Sequence, residues 1–242
     1  DLDFLLGKII HIKSRICDWE SIENYKNLLK KKILKEGIGT QPMSILSQYD
    51  FPLLHKTNAI NFIKQKFFLS NSFKKFSKRK LNKKIRIGYY SPDFHNHAIS
   101  YLLFNLFKLH NKSKFELYGF SFGPSINDEM RIKVSSQFNN FFDLRLSTDK
   151  DIVMLSRKLN IDIAIDLSCF TLNNKFGVFL ERCAPIQINY LGYPGTSGAK
   201  CIDYIIGDKT VIPEKSKKNY SEKIIFLYNT YQCNDSTKKI SK

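Results

Sequence analysis

Residues 162–191 read DIAIDLSCFTLNNKFGVFLERCAPIQINYL. Two short apolar runs, DIAIDL (162–167) and IQINYL (186–191), flank a stretch of helical spacing near Lys175–Arg182. Such runs suit strands buried on both faces, and the gap between them is long enough for a helix to cross from one parallel strand to the next. The alternation continues outward. Before it come IRIGYY (85–90), a helix near Ile99–His110, FELYGFSF (115–122), a helix at Asp128–Phe138, NFFDL (140–144) and a helix near Asp149–Leu159. After it come DYIIG (203–207) and EKIIFL (222–227). This order predicts an α/β fold with a Rossmann-like, doubly wound parallel sheet. Ligands in such sheets bind beyond the carboxyl ends of the strands, so the loops after 90, 167 and 191 are where chemistry belongs.

Upstream the pattern changes. Residues 1–69 form a small helical segment. Phe4, Leu5, Ile9, Ile12 and Ile16, then Trp19, Ile22, Leu28, Leu29 and Ile33, recur at helical spacings, Gly37 and Gly39 punctuate the run, and a further helix is expected over Lys56–Phe68. Residues 70–83 are a basic linker, and residues 84–242 are the sheet domain. The stretch SNSFKKFSKRKLNKKIR interleaves Phe73 and Phe76 with basic residues, which is one way to bind single-stranded nucleic acid. Neither a helix-turn-helix nor an RNP-like pattern accompanies it, so a solvated linker is the favoured reading.

With 242 residues, 43% hydrophobic and 25% charged, the chain has a globular composition and room for a sizeable core. The net charge of +17 suits an anionic partner such as a phosphorylated metabolite, although a Lys-, Ile- and Asn-rich composition also produces it without any ligand. Cys17, Cys169, Cys183, Cys201 and Cys233 are odd in number and widely spaced, and read as free thiols in a reducing, cytoplasmic setting. No run of about 18 apolar residues suggests a membrane span. The sequence begins at Asp1 rather than Met, as a fragment would.

Three loops could carry chemistry. The first holds Asp93, His95 and His97 just before a helix, where the dipole favours a neutral imidazole able to take a proton, and where Asp93 could orient it. The alternative is a turn acid followed by a helix cap. The second, Leu191-Gly192-Tyr193-Pro194-Gly195-Thr196, is glycine-rich after a strand, and its backbone could approach a phosphate or sugar. It matches neither GxGxxG nor a P-loop. The third follows Asp166 and contains Thr171. The Asp-x-Asp pairs, Asp1/Asp3 and Asp149/Asp151, lie at the terminus and at a helix start, so no metal is expected. Without a G-x-S-x-G elbow, a Ser-His-Asp hydrolase is disfavoured.

Three stretches, IRIGYYSPDFHNHAISYLL, CAPIQINYLGYPGTSGAKCIDYIIGD and YSEKIIFLYNTYQCND, resemble the catalytic region of the SPINDLY/O-GlcNAc transferase family. Members are inverting protein glycosyltransferases that use nucleotide sugars. The resemblance implies the first of two Rossmann-like domains in a GT-B arrangement, with a helical connector before it and the second domain beyond Lys242. It implies a donor such as UDP-GlcNAc, a protein Ser or Thr acceptor, and no cofactor. His97 would be a polar contact at the reacting centre or the base, with Asp93 as rival base or proton relay. Leu191, Gly192, Tyr193, Pro194, Gly195 and Thr196 would close over the donor, with Thr171 nearby. Two positions depart from the pattern. Tyr101 stands where many members have His, and Cys169 where the family has Gly, so that a positive φ is disfavoured there. The other readings are a non-catalytic protein-interaction module and a basic nucleic-acid-binding domain.

Overall fold

In the computed structural model, residues 4–67, 76 and 82–238 are described. The basic stretch and its nucleic-acid reading fall almost wholly outside these residues. Two helices come first, α1 (Leu5–Arg15) and α2 (Ile22–Lys31), the second running into a π turn at Lys32–Glu36. Gly37 ends that turn with φ 69°, a left-handed geometry that costs glycine nothing. Helix α3 (Pro52–Lys66) starts a turn before the expected Lys56, because Pro52 takes the first helical position, where its missing N–H is no loss. These helices bury their own small core of Ile10, Ile22, Leu29, Ile33, Ile45 and Leu54.

The remainder is a doubly wound sheet. Its elements in order are β1 (Ile85–Ser91), α4 (Ala98–Leu109), β2 (Phe115–Ser121), α5 (Glu129–Ser135), β3 (Asn140–Asp143), α6 (Asp149–Lys158), β4 (Ile163–Asp166), α7 (Phe176–Leu180), β5 (Ile186–Asn189), β6 (Tyr204–Gly207) and β7 (Lys223–Phe226). The strands lie in the order β3-β2-β1-β4-β5-β6-β7, with every pairing parallel.

Alternate residues of one strand feed opposite cores. From β1, Ile87 and Tyr89 enter a cluster with Phe94, Leu103 and Phe107 of the α4 side. Tyr90 enters the other, with Phe120, Val153 and Phe179, its ring stacked on Phe120 at 4.2 Å. The second cluster also takes Ala59 and Ile63 from α3, so the helical segment packs directly on the sheet domain.

After β1 the chain winds outward through β2 and β3, then returns to place β4 on the other side of β1. The two halves diverge at that junction, and the crevice this opens lies beyond the ends of β1, β4 and β5.

Candidate functional site

The loop after β1 is held by its own backbone and by neighbours. Ser91 Oγ accepts the N–H of Asp93 at 2.9 Å, and Asp93 C=O accepts Ser100 Oγ at 2.6 Å. Phe94 is fully buried among Phe107, Phe138 and Phe141, which anchors the loop between its two functional candidates. From outside, Asp128 accepts the N–H of Asn96 at 2.6 Å.

His97 is the N-cap of α4, with extended backbone, and its Nδ1 accepts the N–H of Ile99 at 3.3 Å. A ring that accepts at Nδ1 carries its proton at Nε2 when neutral, so in this pose Nε2 offers a hydrogen bond rather than taking a proton. Asp93 Oδ2 stands 3.9 Å from the same Nδ1. Burial pushes the Asp93 carboxyl up, while His97 and His95 pull it down. A half-buried carboxylate of raised basicity fits proton abstraction better than the capping histidine does.

These residues open into a cavity of about 550 Å³ that also takes Thr171, Leu191 and Gly192. The structure thus brings together Asp93, His97, Thr171 and the first two residues of the glycine loop. Gly192 is required there by packing, since a Cβ would sit 2.0 Å from the carbonyl oxygen of Leu167.

The rest of that loop turns away. Tyr193 is buried, its ring edge-on to Phe170 at 5.3 Å. Pro194, Gly195 and Thr196 line a separate cavity of about 270 Å³ with Pro52 and His55 of the helical segment. Thr196 Oγ1 donates to Glu222 at 2.7 Å, and Ser197 N–H to the same carboxylate at 2.6 Å. The Thr196 hydroxyl is therefore committed inward, away from the larger cavity.

Other residues enter that cavity without a motif to announce them. Tyr231 and Gln232 line it because Asp208 Oδ2 accepts the N–H of Tyr231 and Tyr190 OH donates to its carbonyl, each at 2.8 Å. Met43 reaches it from the helical segment. Their only sequence signal was membership in the YNTYQCND stretch, and Met43 had none.

The two departures have definite places. Cys169 is buried with φ 47°, a left-handed backbone despite its side chain, held by its N–H bond to Asp166 Oδ1 at 2.9 Å. Tyr101 is 40% exposed, with the Lys238 ammonium 5.3 Å from its ring centre. Asp151 belongs to the capping box of α6 with Thr148, and Asp149 faces Lys175 Nζ at 3.5 Å. Among the described residues no cluster of three His, Cys, Asp or Glu could hold a metal ion.

Residues 51–242 match the model of glycosyl transferase family 41. Over 157 residues the chain is 35% identical to an Arabidopsis thaliana protein described as "Probable UDP-N-acetylglucosamine--peptide N-acetylglucosaminyltransferase SEC", covering 65% of this chain and 16% of that protein. It is 31% identical to the Caenorhabditis elegans UDP-N-acetylglucosamine–peptide N-acetylglucosaminyltransferase over 63% of this chain and 13% of that protein. A protein described as the probable SPINDLY transferase of Arabidopsis thaliana matches at 32% identity, over 62% and 17% respectively. The chain thus spans about a sixth of the length of these relatives. A mutant of the Thermobaculum terrenum O-GlcNAc transferase superimposes with a TM-score of 0.72 at 22% identity, covering 94% of this chain and 43% of that one, and shares its fold. With the family model covering most of its length, the chain belongs to glycosyl transferase family 41.

Proposed function

We propose that this chain is the first Rossmann-like half, residues 84–242, of the catalytic region of a protein O-glycosyltransferase, joined through residues 70–83 to the helical connector 1–69. The whole enzyme would transfer N-acetylglucosamine from UDP to a Ser or Thr hydroxyl of a protein, with inversion. What carries the reading is one observation: in a family 41 chain, Asp93 and His97 meet Leu191 and Gly192 at the crevice of the sheet.

In this mechanism Asp93 takes the acceptor hydroxyl proton. The hydroxyl oxygen forms its bond to C1 as the C1–O bond to the diphosphate breaks, and the electron pair leaves with UDP. Attack opposite the leaving group inverts C1. His97 Nε2–H donates to an oxygen beside the reacting centre, where charge develops in the transition state. The diphosphate would be neutralised by backbone N–H groups and by a second Rossmann-like domain. The reading calls on no metal or cofactor: the one internal Asp-x-Asp pair, Asp149 and Asp151, serves the start of α6 and does not line the cavity. Five cysteines without a disulfide suit a reducing, cytoplasmic compartment, and no helix among the described residues is long and apolar enough to cross a membrane.

The test is transfer of labelled sugar from UDP-GlcNAc to an acceptor peptide by the full-length protein, with and without EDTA. Transfer in EDTA is expected. No transfer by the full-length protein would favour a protein-interaction module, and a strict Mn²⁺ or Mg²⁺ requirement would overturn the metal-free chemistry.

A further inference from the structure

Behind the cavity, the sheet holds two buried oxygens that each lack a hydrogen-bond partner among the described residues: Asp166 Oδ2 and Asn189 Oδ1. Both residues are essentially inaccessible, Asp166 at 1% and Asn189 at 0%. They close β4 and β5 and are register partners in the parallel pair. Register partners project to the same face from strands about 4.8 Å apart, so the two side chains are immediate neighbours. Each is fixed at its other end. Asp166 Oδ1 accepts the N–H groups of Ser168 and Cys169, both at 2.9 Å, and Ser168 Oγ at 3.1 Å. Asn189 Nδ2 donates to the carbonyls of Tyr193 at 3.1 Å and Gly195 at 3.5 Å.

An ionised Asp166 would leave two buried acceptors on neighbouring strands, which costs free energy on both. One proton removes both deficits. We propose that Asp166 is held as the acid and donates from Oδ2 to Asn189 Oδ1, so that the pair acts as a positioning device for the Leu191–Gly195 turn. The bond fixes which way the Asn189 amide points. Its Nδ2 must then face the turn, whose first residues, Leu191 and Gly192, line the cavity.

The surroundings agree. Burial pushes the Asp166 carboxyl up to about 6, against the hydrogen bonds from Cys169 and Ser168 that lower it. A bond that only the acid can donate raises it further. The titratable groups facing it are Tyr90 of β1, Cys169 after β4, Cys183 after α7 and Cys201 before β6. Burial pushes the thiols of Cys183 and Cys201 to about 12 and that of Cys169 well above its usual range, and raises Tyr90 likewise, so all four stay neutral near pH 6. Arg182, the cation beside Cys201, is engaged by both carboxylate oxygens of Asp203, at 2.9 and 2.8 Å.

The inference rests on the proposed function only for its effect on transfer; the proton itself is measured without any substrate. In ¹³C-carboxyl NMR of the chain labelled at Asp, with the Asp166 resonance assigned by its loss in Asp166→Asn, a midpoint at or above about 6 is expected. Because the folded value is raised, the associated stability is complete below about pH 4 and is lost as pH rises through 6. Asp166→Asn supplies a neutral donor at every pH, so urea unfolding should lose this dependence while the fold persists. Asn189→Ala should lower the Asp166 midpoint. A wild-type midpoint near 4 would mean an ionised carboxylate bridged by water and would overturn the proposal, as would an unmoved midpoint in a folded Asn189→Ala. In the full-length enzyme the shape of the pH profile is the further readout: normalised to its own maximum, transfer by Asp166→Asn should decline no earlier on the alkaline side than wild type.

Discussion

His97 Nδ1 lies 3.3 Å from the N–H of Ile99 and 3.9 Å from Asp93 Oδ2, so one ring nitrogen is within reach of both a helix cap and a carboxylate. The two partners demand different forms of the ring. As an acceptor from Ile99, Nδ1 must be unprotonated and Nε2 donates; turned to Asp93, Nδ1 must carry hydrogen, and in a neutral ring Nε2 becomes a base. The first is the arrangement observed, and it is why the proposed mechanism takes Asp93 as the base and His97 as the donor.

Replacing His97 with Asn separates cap from chemistry, because Asn is a good N-cap. Urea unfolding of His97→Asn should match wild type, while kcat of the full-length enzyme falls about 10²–10⁴-fold and donor KM moves little. His95→Ala should be nearly silent. Normal kcat in His97→Asn would reduce His97 to a capping residue.

Asp93 should set the acid limb of the rate. Burial raises its carboxyl above the ordinary range, so the base form is lost as pH falls, and kcat/KM should rise with pH through a midpoint above the usual carboxylate value. Asp93→Asn should remove that limb along with most of the turnover. Equal losses in Asp93→Asn, His97→Asn and the double variant would show the two acting as a unit. A limb that survives in Asp93→Asn would assign the base elsewhere.

Gly192→Ala places a methyl 2.0 Å from the Leu167 carbonyl, a backbone atom that cannot yield cheaply. The turn should shift, and transfer should fall with a raised donor KM, measured in the full-length enzyme. Wild-type kinetics would show that this edge of the cavity does not touch the donor.

Glu222 receives Thr196 Oγ1 and the N–H of Ser221 on Oε2, and the N–H and Oγ of Ser197 on Oε1. Backbone donors address both oxygens, so an amide would confront one of them with another N–H. Glu222→Gln should cost about 1–3 kcal/mol in urea unfolding, the penalty for a buried donor left unpaired. No measurable loss would mean that the 196–198 turn rearranges freely.

The strands were legible because a strand buried on both faces needs a nearly continuous apolar run, and IRIGYY, FELYGF and DIAID are apolar apart from Arg86, Glu116, Asp162 and Asp166 near their ends. Their alternation with helices implied a parallel sheet, whose strands all end at one carboxyl edge, and ligands bind beyond that edge. That was enough to select the loops holding Asp93, His97, Thr171 and Leu191 before any contact was known. Local pattern also set the helix starts at Thr148 and Asp128, where the capping side chains are near neighbours in sequence.

Tertiary structure alone decided how the glycine loop divides. Its six residues look uniform in sequence, yet Glu222, more than twenty positions away, draws Thr196 inward, and the aromatic core takes Tyr193, leaving Leu191 and Gly192 at the cavity. It likewise brought in Tyr231 and Met43 by long-range bonds and packing, set Cys169 in a left-handed turn that its residue type disfavours, and paired Asp166 with Asn189 across two strands. Sequence periodicity reports which residues leave water; it carries no record of which distant partner meets each one there, because that depends on strand order and register.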